Sequence, residues 1–196
     1  MALTLDLLKK NIDGLTSKTL CVIGDGRGLL GCLIKKIYPN TKIIYINLGR
    51  TLLFDFYYSR KCFPQLNHRL IRSNQDCLLA DFNYIEAEYL DQVIFASDIF
   101  INISSMQEMD YEVISKYFDA FHNQDIGSYF YCCNRVSKTL PDGAEINFSE
   151  YGWVANSDQT LIDELCPWHQ NFPVNWPPFY KKFDGPHQHR LVRLIK

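Results

Sequence analysis

Apolar residues recur along the chain at two spacings, and the alternation between them marks out the elements. Leu5, Leu8 and Ile12 fall on one face of a short helix that Thr4 would cap and Gly14 would end. Residues 19–24 (TLCVIG) form a short apolar run closing in glycine, as a buried parallel strand does. Over residues 29–38 the period lengthens, with Leu30, Leu33, Ile34 and Ile37 on one side and Lys35 and Lys36 in the last turn. Residues 42–48 (KIIYINL) are a second buried strand, residues 51–58 look helical, and a polar, poorly periodic stretch runs to about residue 83. Residues 83–87 (NYIEA) and 98–103 (DIFINI) give a third and a fourth strand.

Ser105 to Glu108 then has the spacing of a capping box, opening a helix with Met109, Val113, Tyr117 and Phe121 at intervals of four. Residues 129–133 read as a fifth strand, Pro141-Asp142-Gly143 as a turn, and residues 145–148 and 190–195 as two final strands. Strands alternating with helices, closed by a strand pair, predict an α/β three-layer sandwich of Rossmann-like type. The expected sheet is mostly parallel and seven-stranded, with an antiparallel last strand. The right-handed crossover rule puts the strand C-termini, and any ligand, along one edge.

Composition narrows the partners. With 47% hydrophobic and 21% charged residues over 196 positions, the chain suits one folded domain rather than a disordered or coiled-coil protein. The formal charge of −2 and the lack of a basic stretch argue against nucleic acid as a partner. No apolar run reaches membrane-span length, and the seven cysteines form no CxxC, so a cytoplasmic protein with reduced thiols is expected. A homo-oligomer is compatible with all of this.

Gly24-Asp25-Gly26-Arg27-Gly28 lies between the first strand and the next helix, where glycines let a ligand approach backbone amides. Residues 26–31 formally match the dinucleotide fingerprint G-x-G-x-x-G. The apolar strand, however, runs straight into Gly24, two residues earlier. That register suits a G-x-G-x-G loop as in methyltransferases that use S-adenosylmethionine. An acidic residue commonly ends the second strand and holds ribose hydroxyls. Here that position is Asn47, and Val22 stands where a further carboxylate is frequent. Ala87-Glu88 resembles the Ala-acidic pair that meets adenine in such enzymes.

The later segments are more specific. Residues 102–110 (NISSMQEMD), 131–135 (YCCNR), 138–143 (KTLPDG), 166–170 (CPWHQ), 177–179 (PPF) and 184–191 (DGPHQHRL) together resemble the sugar O-methyltransferase family. The resemblance runs from about residue 20 to 194. It implies the class I S-adenosylmethionine-dependent fold, with that cofactor and a sugar or glycoconjugate acceptor. It implies that Gly24, Asp25, Gly26 and Gly28 line the methionine and ribose side of the cofactor. Asn47 and Leu48 would sit by the ribose, Glu88 and Tyr89 by the adenine, and Ser104 and Ser105 beneath the sulfonium.

O-methylation needs a base for the attacking hydroxyl. His169 and His189, with His187 beside them, are the candidates, because imidazole titrates near neutrality. They lie in or next to an aromatic, proline-rich insertion over residues 151–187, which holds Trp153, Trp168 and Trp176 and is expected to close over the acceptor as a lid. Cys166 and these histidines match no standard zinc spacing, so no metal is expected. Residues 175–179 (NWPPF) do not serve as the Asn-Pro-Pro-aromatic motif of amino-methyltransferases, which belongs after the fourth strand. Two readings of other classes stand beside the enzyme. A non-catalytic methyltransferase-like binding module is favoured by Val22 and Asn47, and a nicotinamide-dependent oxidoreductase by the formal fingerprint.

Overall fold

A computed structural model describes residues 1–73, 80–93, 95–123, 127–153, 158–174 and 179–195; Cys77 and Trp176 lie outside them. Its helices are α1 (Ala2–Asn11), α2 (Leu29–Ile37), α3 (Gly49–Cys62) and α4 (Tyr111–His122). Its strands are β1 (Thr19–Ile23), β2 (Lys42–Asn47), β3 (His68–Ile71), β4 (Phe82–Glu86), β5 (Ile99–Ile103), β6 (Tyr129–Arg135), β7 (Ser137–Thr139), β8 (Glu145–Asn147), β9 (Gln159–Leu165), β10 (Asn171–Pro173), β11 (Tyr180–Lys182) and β12 (His187–Arg193).

The main sheet runs β3-β4-β2-β1-β5-β6-β12-β9. The first six are mutually parallel, β12 is antiparallel to β6, and β9 is antiparallel to β12. The mostly parallel, Rossmann-like sheet is therefore present, with eight strands in place of seven. Two of them are edge strands that the apolar pattern does not reveal. β3 is exposed at its two central residues, and β9 is exposed at six of its seven positions. The expected sixth strand at residues 145–148 instead pairs with β7 as a separate two-stranded ribbon. Its place in the sheet goes to β9, from within the expected lid.

Strand alternation divides the core. Leu20 and Val22 face the layer of α1, α2 and α3 with Leu8, Ile34, Tyr45 and Tyr131, whereas Cys21 and Ile23 face α4 with Phe100, Phe118, Phe121 and Phe130. Trp153 belongs to the second layer: it stacks on Phe130 at 5.7 Å and donates its Nε1–H to the Phe148 carbonyl at 2.7 Å. Trp168 packs edge-on to His189 against the first layer. Both described tryptophans thus pack, partly buried, against the two core layers.

Two expected caps are replaced. Thr4 lies inside α1, 2% exposed, and no side chain caps that helix. Ser105 opens only a 3₁₀ turn, and Asp110 caps α4, accepting the Val113 N–H at 2.8 Å. Asp110→Ala is therefore expected to destabilise the fold by about 1 kcal/mol, measured by denaturant unfolding, whereas Ser105→Ala leaves the cap of α4 in place.

Candidate active site

The C-terminal ends of β4, β2, β1 and β5 are neighbours in the sheet, so every expected cofactor residue arrives at one edge. β1 passes into the glycine loop, where the Gly24 N–H donates to the Ile46 carbonyl at 2.9 Å. Gly24, Gly26 and Gly28 have φ of +71°, +75° and +65°. Two of them are also demanded by packing. A Cβ on Gly24 would lie 2.2 Å from Ser105 Oγ, and one on Gly28 would lie 3.0 Å from the Asp55 carbonyl oxygen. A Cβ on Gly26 would meet nothing within 4 Å, so this glycine faces open space. Asp25 turns inward instead: its carboxylate accepts the Leu30 N–H at 2.9 Å and the Gly31 N–H at 3.0 Å, capping α2. Burial pushes that carboxyl upward, against the lowering effect of these amides.

At the end of β2, Asn47 Oδ1 accepts the Leu48 N–H at 3.0 Å while Nδ2 donates to Asp55 Oδ2 at 2.9 Å. Leu48 beside it is 70% exposed, an apolar side chain left uncovered at the strand end. Asp55 was not legible as a site residue. The available signal is that Leu52, Asp55 and Ser59 share the buried face of α3, putting an acid on an otherwise packed stripe. Asp55 is fully buried, and among the described residues its Oδ1 meets no hydrogen-bond partner. Burial pushes its carboxyl up to about 6, more than the Asn47 hydrogen bond lowers it. After β4, Glu88 is exposed and Tyr89 packs against the α4-side core.

After β5 stands Ser104, the only non-glycine with positive φ among the described residues, at +58°. Such strain is maintained where surroundings impose it, and it concentrates at functional sites. Ser104 Oγ lies 3.0 Å from His169 Nε2 and 3.5 Å from His187 Nε2. The Ser104 N–H donates to the Cys133 carbonyl, and Phe183 stacks on the His169 ring at 5.2 Å. Gln170 fixes the backbone of His187 from both sides, accepting its N–H at 3.0 Å and donating to its carbonyl at 2.7 Å. Burial pushes both imidazoles down, His187 to about 4, so both are neutral at pH 7. Ser105 does a different job, donating its hydroxyl to the Ile23 carbonyl at 3.1 Å and so tying β5 to β1.

His189 is not part of this group. It sits two residues deeper along β12, fully buried, with Nδ1 3.1 Å from Tyr131 Oη and Nε2 3.4 Å from Glu164. Both ring nitrogens face protein groups, Nε2 the exposed Glu164, so His189 lies apart from Ser104 and His169. Among the described residues, no three of His, Cys, Asp and Glu converge as metal ligands.

No protein-family model matches the sequence, and no curated protein matches it either. Solved structures do. Coclaurine N-methyltransferase bound to N-methylheliamine and S-adenosylhomocysteine superposes with a TM-score of 0.58 at 12% identity, over 84% of this chain and 50% of that one. The mitomycin 7-O-methyltransferase MmcR gives 0.54 at 11% identity, over 93% and 50%. The Escherichia coli protein YhhF gives 0.59 at 8% identity, over 99% and 85%. The chain spans about half the length of the first two. At these identities the likeness shows the fold alone, the Rossmann-like sheet that these methyltransferases share.

Proposed function

We propose that the chain is an S-adenosylmethionine-dependent O-methyltransferase. The observation that carries this is the glycine loop at the strand edge. Its outer glycines are filled in by protein, while its middle glycine faces open space with positive φ. Positive φ over open space also occurs at the turn glycines Gly14 and Gly143, so what marks Gly26 is its place between β1 and α2, at the edge where β2, β1 and β5 end. Gly26, Asn47, Leu48 and the turn after β4 would hold the cofactor, which supplies, when bound, an electrophilic methyl group on a sulfonium. The acceptor is read as a sugar or glycoconjugate hydroxyl from the motif resemblance of residues 166–170 and 184–191.

The chain's own chemistry lies in Ser104 and His169. As the acceptor oxygen attacks, its proton passes to Ser104 Oγ while the Ser104 proton passes to His169 Nε2, across the observed 3.0 Å contact. A buried, neutral imidazole is ready to receive that proton. A cytoplasmic location fits the six described cysteines, all free thiols. None of the described helices is long and apolar enough to cross a membrane.

Calorimetric titration with S-adenosylmethionine and S-adenosylhomocysteine, with NADH as control, tests the reading. Binding of the sulfur nucleosides alone is expected. Binding of NADH alone would move the chain to the nicotinamide class. A second reading, a methyltransferase-like binding module, is favoured by Asp25, whose carboxylate is fully committed to capping α2. It predicts that neither nucleoside binds.

A further inference from the structure

A surface helix ordinarily turns its apolar stripe to the core, and α3 is built the other way round. The side it buries carries Leu52, Asp55 and Ser59. The side it turns to solvent carries Leu53, Phe54, Tyr57 and Tyr58, whose spacing keeps them on one stripe. Leu53, Phe54 and Tyr57 are 67%, 62% and 64% exposed. Single exposed apolar residues are ordinary, whereas a contiguous stripe marks a surface that meets something. Charge on this surface has one sign. Arg50 lies on the stripe one turn before Leu53 and Phe54, and Lys61 one turn after Tyr57 and Tyr58; both are exposed. Asp55, the one acid in α3 and β3, is buried. Arg50 sits in the first turn of α3, where the helix dipole favours an acid, so the helix itself gains nothing from that charge. A cleft of about 530 Å³ between α3 and β3 repeats the pairing, with Leu53, Phe56 and Leu70 beside Arg50 and Arg72.

We propose that the outer face of α3, with the cleft beside β3, docks the chain on an anionic lipid surface. Leu53 and Phe54 enter the acyl boundary, the tyrosine hydroxyls stay at headgroup level, and Arg50, Lys61 and Arg72 meet the phosphates. An apolar stripe flanked only by cations is complementary to a bilayer of that charge. It suits two other occupants less well. A second copy seated on the same stripe by a two-fold axis would set Arg50 of each chain against Lys61 of the other, like charge on like. A nucleic-acid strand would stack on the rings and take the arginines, but Leu53 and Leu70 offer it no π-face, whereas an acyl chain uses both. None of these side chains belongs to the cofactor site proposed above, so the docking face stands or falls apart from that reading.

The test is flotation of the whole chain with vesicles of phosphatidylcholine alone and of phosphatidylcholine carrying about a third phosphatidylglycerol. Wild type is expected to float with the anionic vesicles only, and less so as salt rises. L53S/F54S/Y57S removes the apolar stripe and is expected to weaken binding about a hundredfold. R50Q/K61Q keeps the stripe, removes two charges and is expected to weaken binding about thirtyfold. All five positions are exposed, so thermal unfolding of both variants should stay within about two degrees of wild type. Wild type that leaves the anionic vesicles unbound at low salt would overturn the proposal, as would either variant binding them as wild type does. A dimer that L53S/F54S/Y57S disperses, without flotation, would give the face to a second copy. Capture of a single-stranded oligonucleotide, without flotation, would give it to nucleic acid. Each of those two results overturns the lipid assignment as well.

Discussion

Gly26→Val is expected to abolish S-adenosylhomocysteine binding in a chain that still folds. At φ of +75° a valine costs on the order of 1–2 kcal/mol, and among the described residues no atom stands within 4 Å of its Cβ to add a clash. The side chain therefore enters the space that the loop keeps clear for a ligand. Gly24→Val makes the contrast. Its Cβ would fall 2.2 Å from Ser105 Oγ and 2.4 Å from Ser105 Cβ, so the join between β1 and β5 must give way. Calorimetry paired with thermal unfolding separates the two. G26V should melt cooperatively a few degrees low and bind nothing, while G24V should lose its cooperative transition. Undiminished binding in G26V would remove the loop from the cofactor site.

The second large effect belongs to His169. With an acceptor identified from a hydroxyl screen, His169→Ala is expected to lower kcat by about 10²–10⁴-fold and to leave S-adenosylhomocysteine affinity unchanged. Ser104→Ala should act in the same direction, because the proton passes through its Oγ. The pH dependence has a definite sign. Burial lowers the His169 and His187 pKa values below the free value of 6.5, so the folded site resists a proton that the unfolded chain accepts. Their stability contribution is complete above pH 6.5 and is lost as pH falls towards 4. Activity should hold to the alkaline side of 6.5, with an acid limb below it. An acid limb in wild type that survives unmoved in H169A would assign the base elsewhere.

The central strands were legible because parallel strands buried on both faces leave continuous apolar runs: TLCVI, KIIYIN and IFINI are all but solvent-free. β3 and β9 were not, because an edge strand with exposed faces carries no such run. The site divides similarly. Gly24, Gly26, Gly28, Asn47 and Ser104 could be placed from their position after strands. What the sequence withholds is which side chains are already committed. Asp25 and Ser105 face inward because α2 and β1 offer them backbone partners. Asp55 is hidden because its place depends on a helix that packs back on the strand end, bringing Asp55, eight residues on, beside Asn47. His169 and His189 are equivalent as letters. What separates them is placement: His169 lies in the turn after β9 with its Nε2 on Ser104 Oγ, whereas His189 lies within β12 opposite Cys133.

The polar character of β9 has a consequence for the behaviour of the chain in concentrated solution. A sheet that ends in unpaired N–H and C=O groups is a template on which another strand can grow. β9 leaves Asp163 and Glu164 exposed on this rim, with Arg190 of the next strand bonded to Asp163 at 2.7 Å. β3, at the opposite rim, is only four residues long. Charge at one end and shortness at the other discourage stacking of sheets edge to edge. Converting Asp163 and Glu164 to valine would leave Leu161 to Leu165 as a wholly apolar ribbon, and the expected outcome is aggregation visible by light scattering long before any loss of the fold.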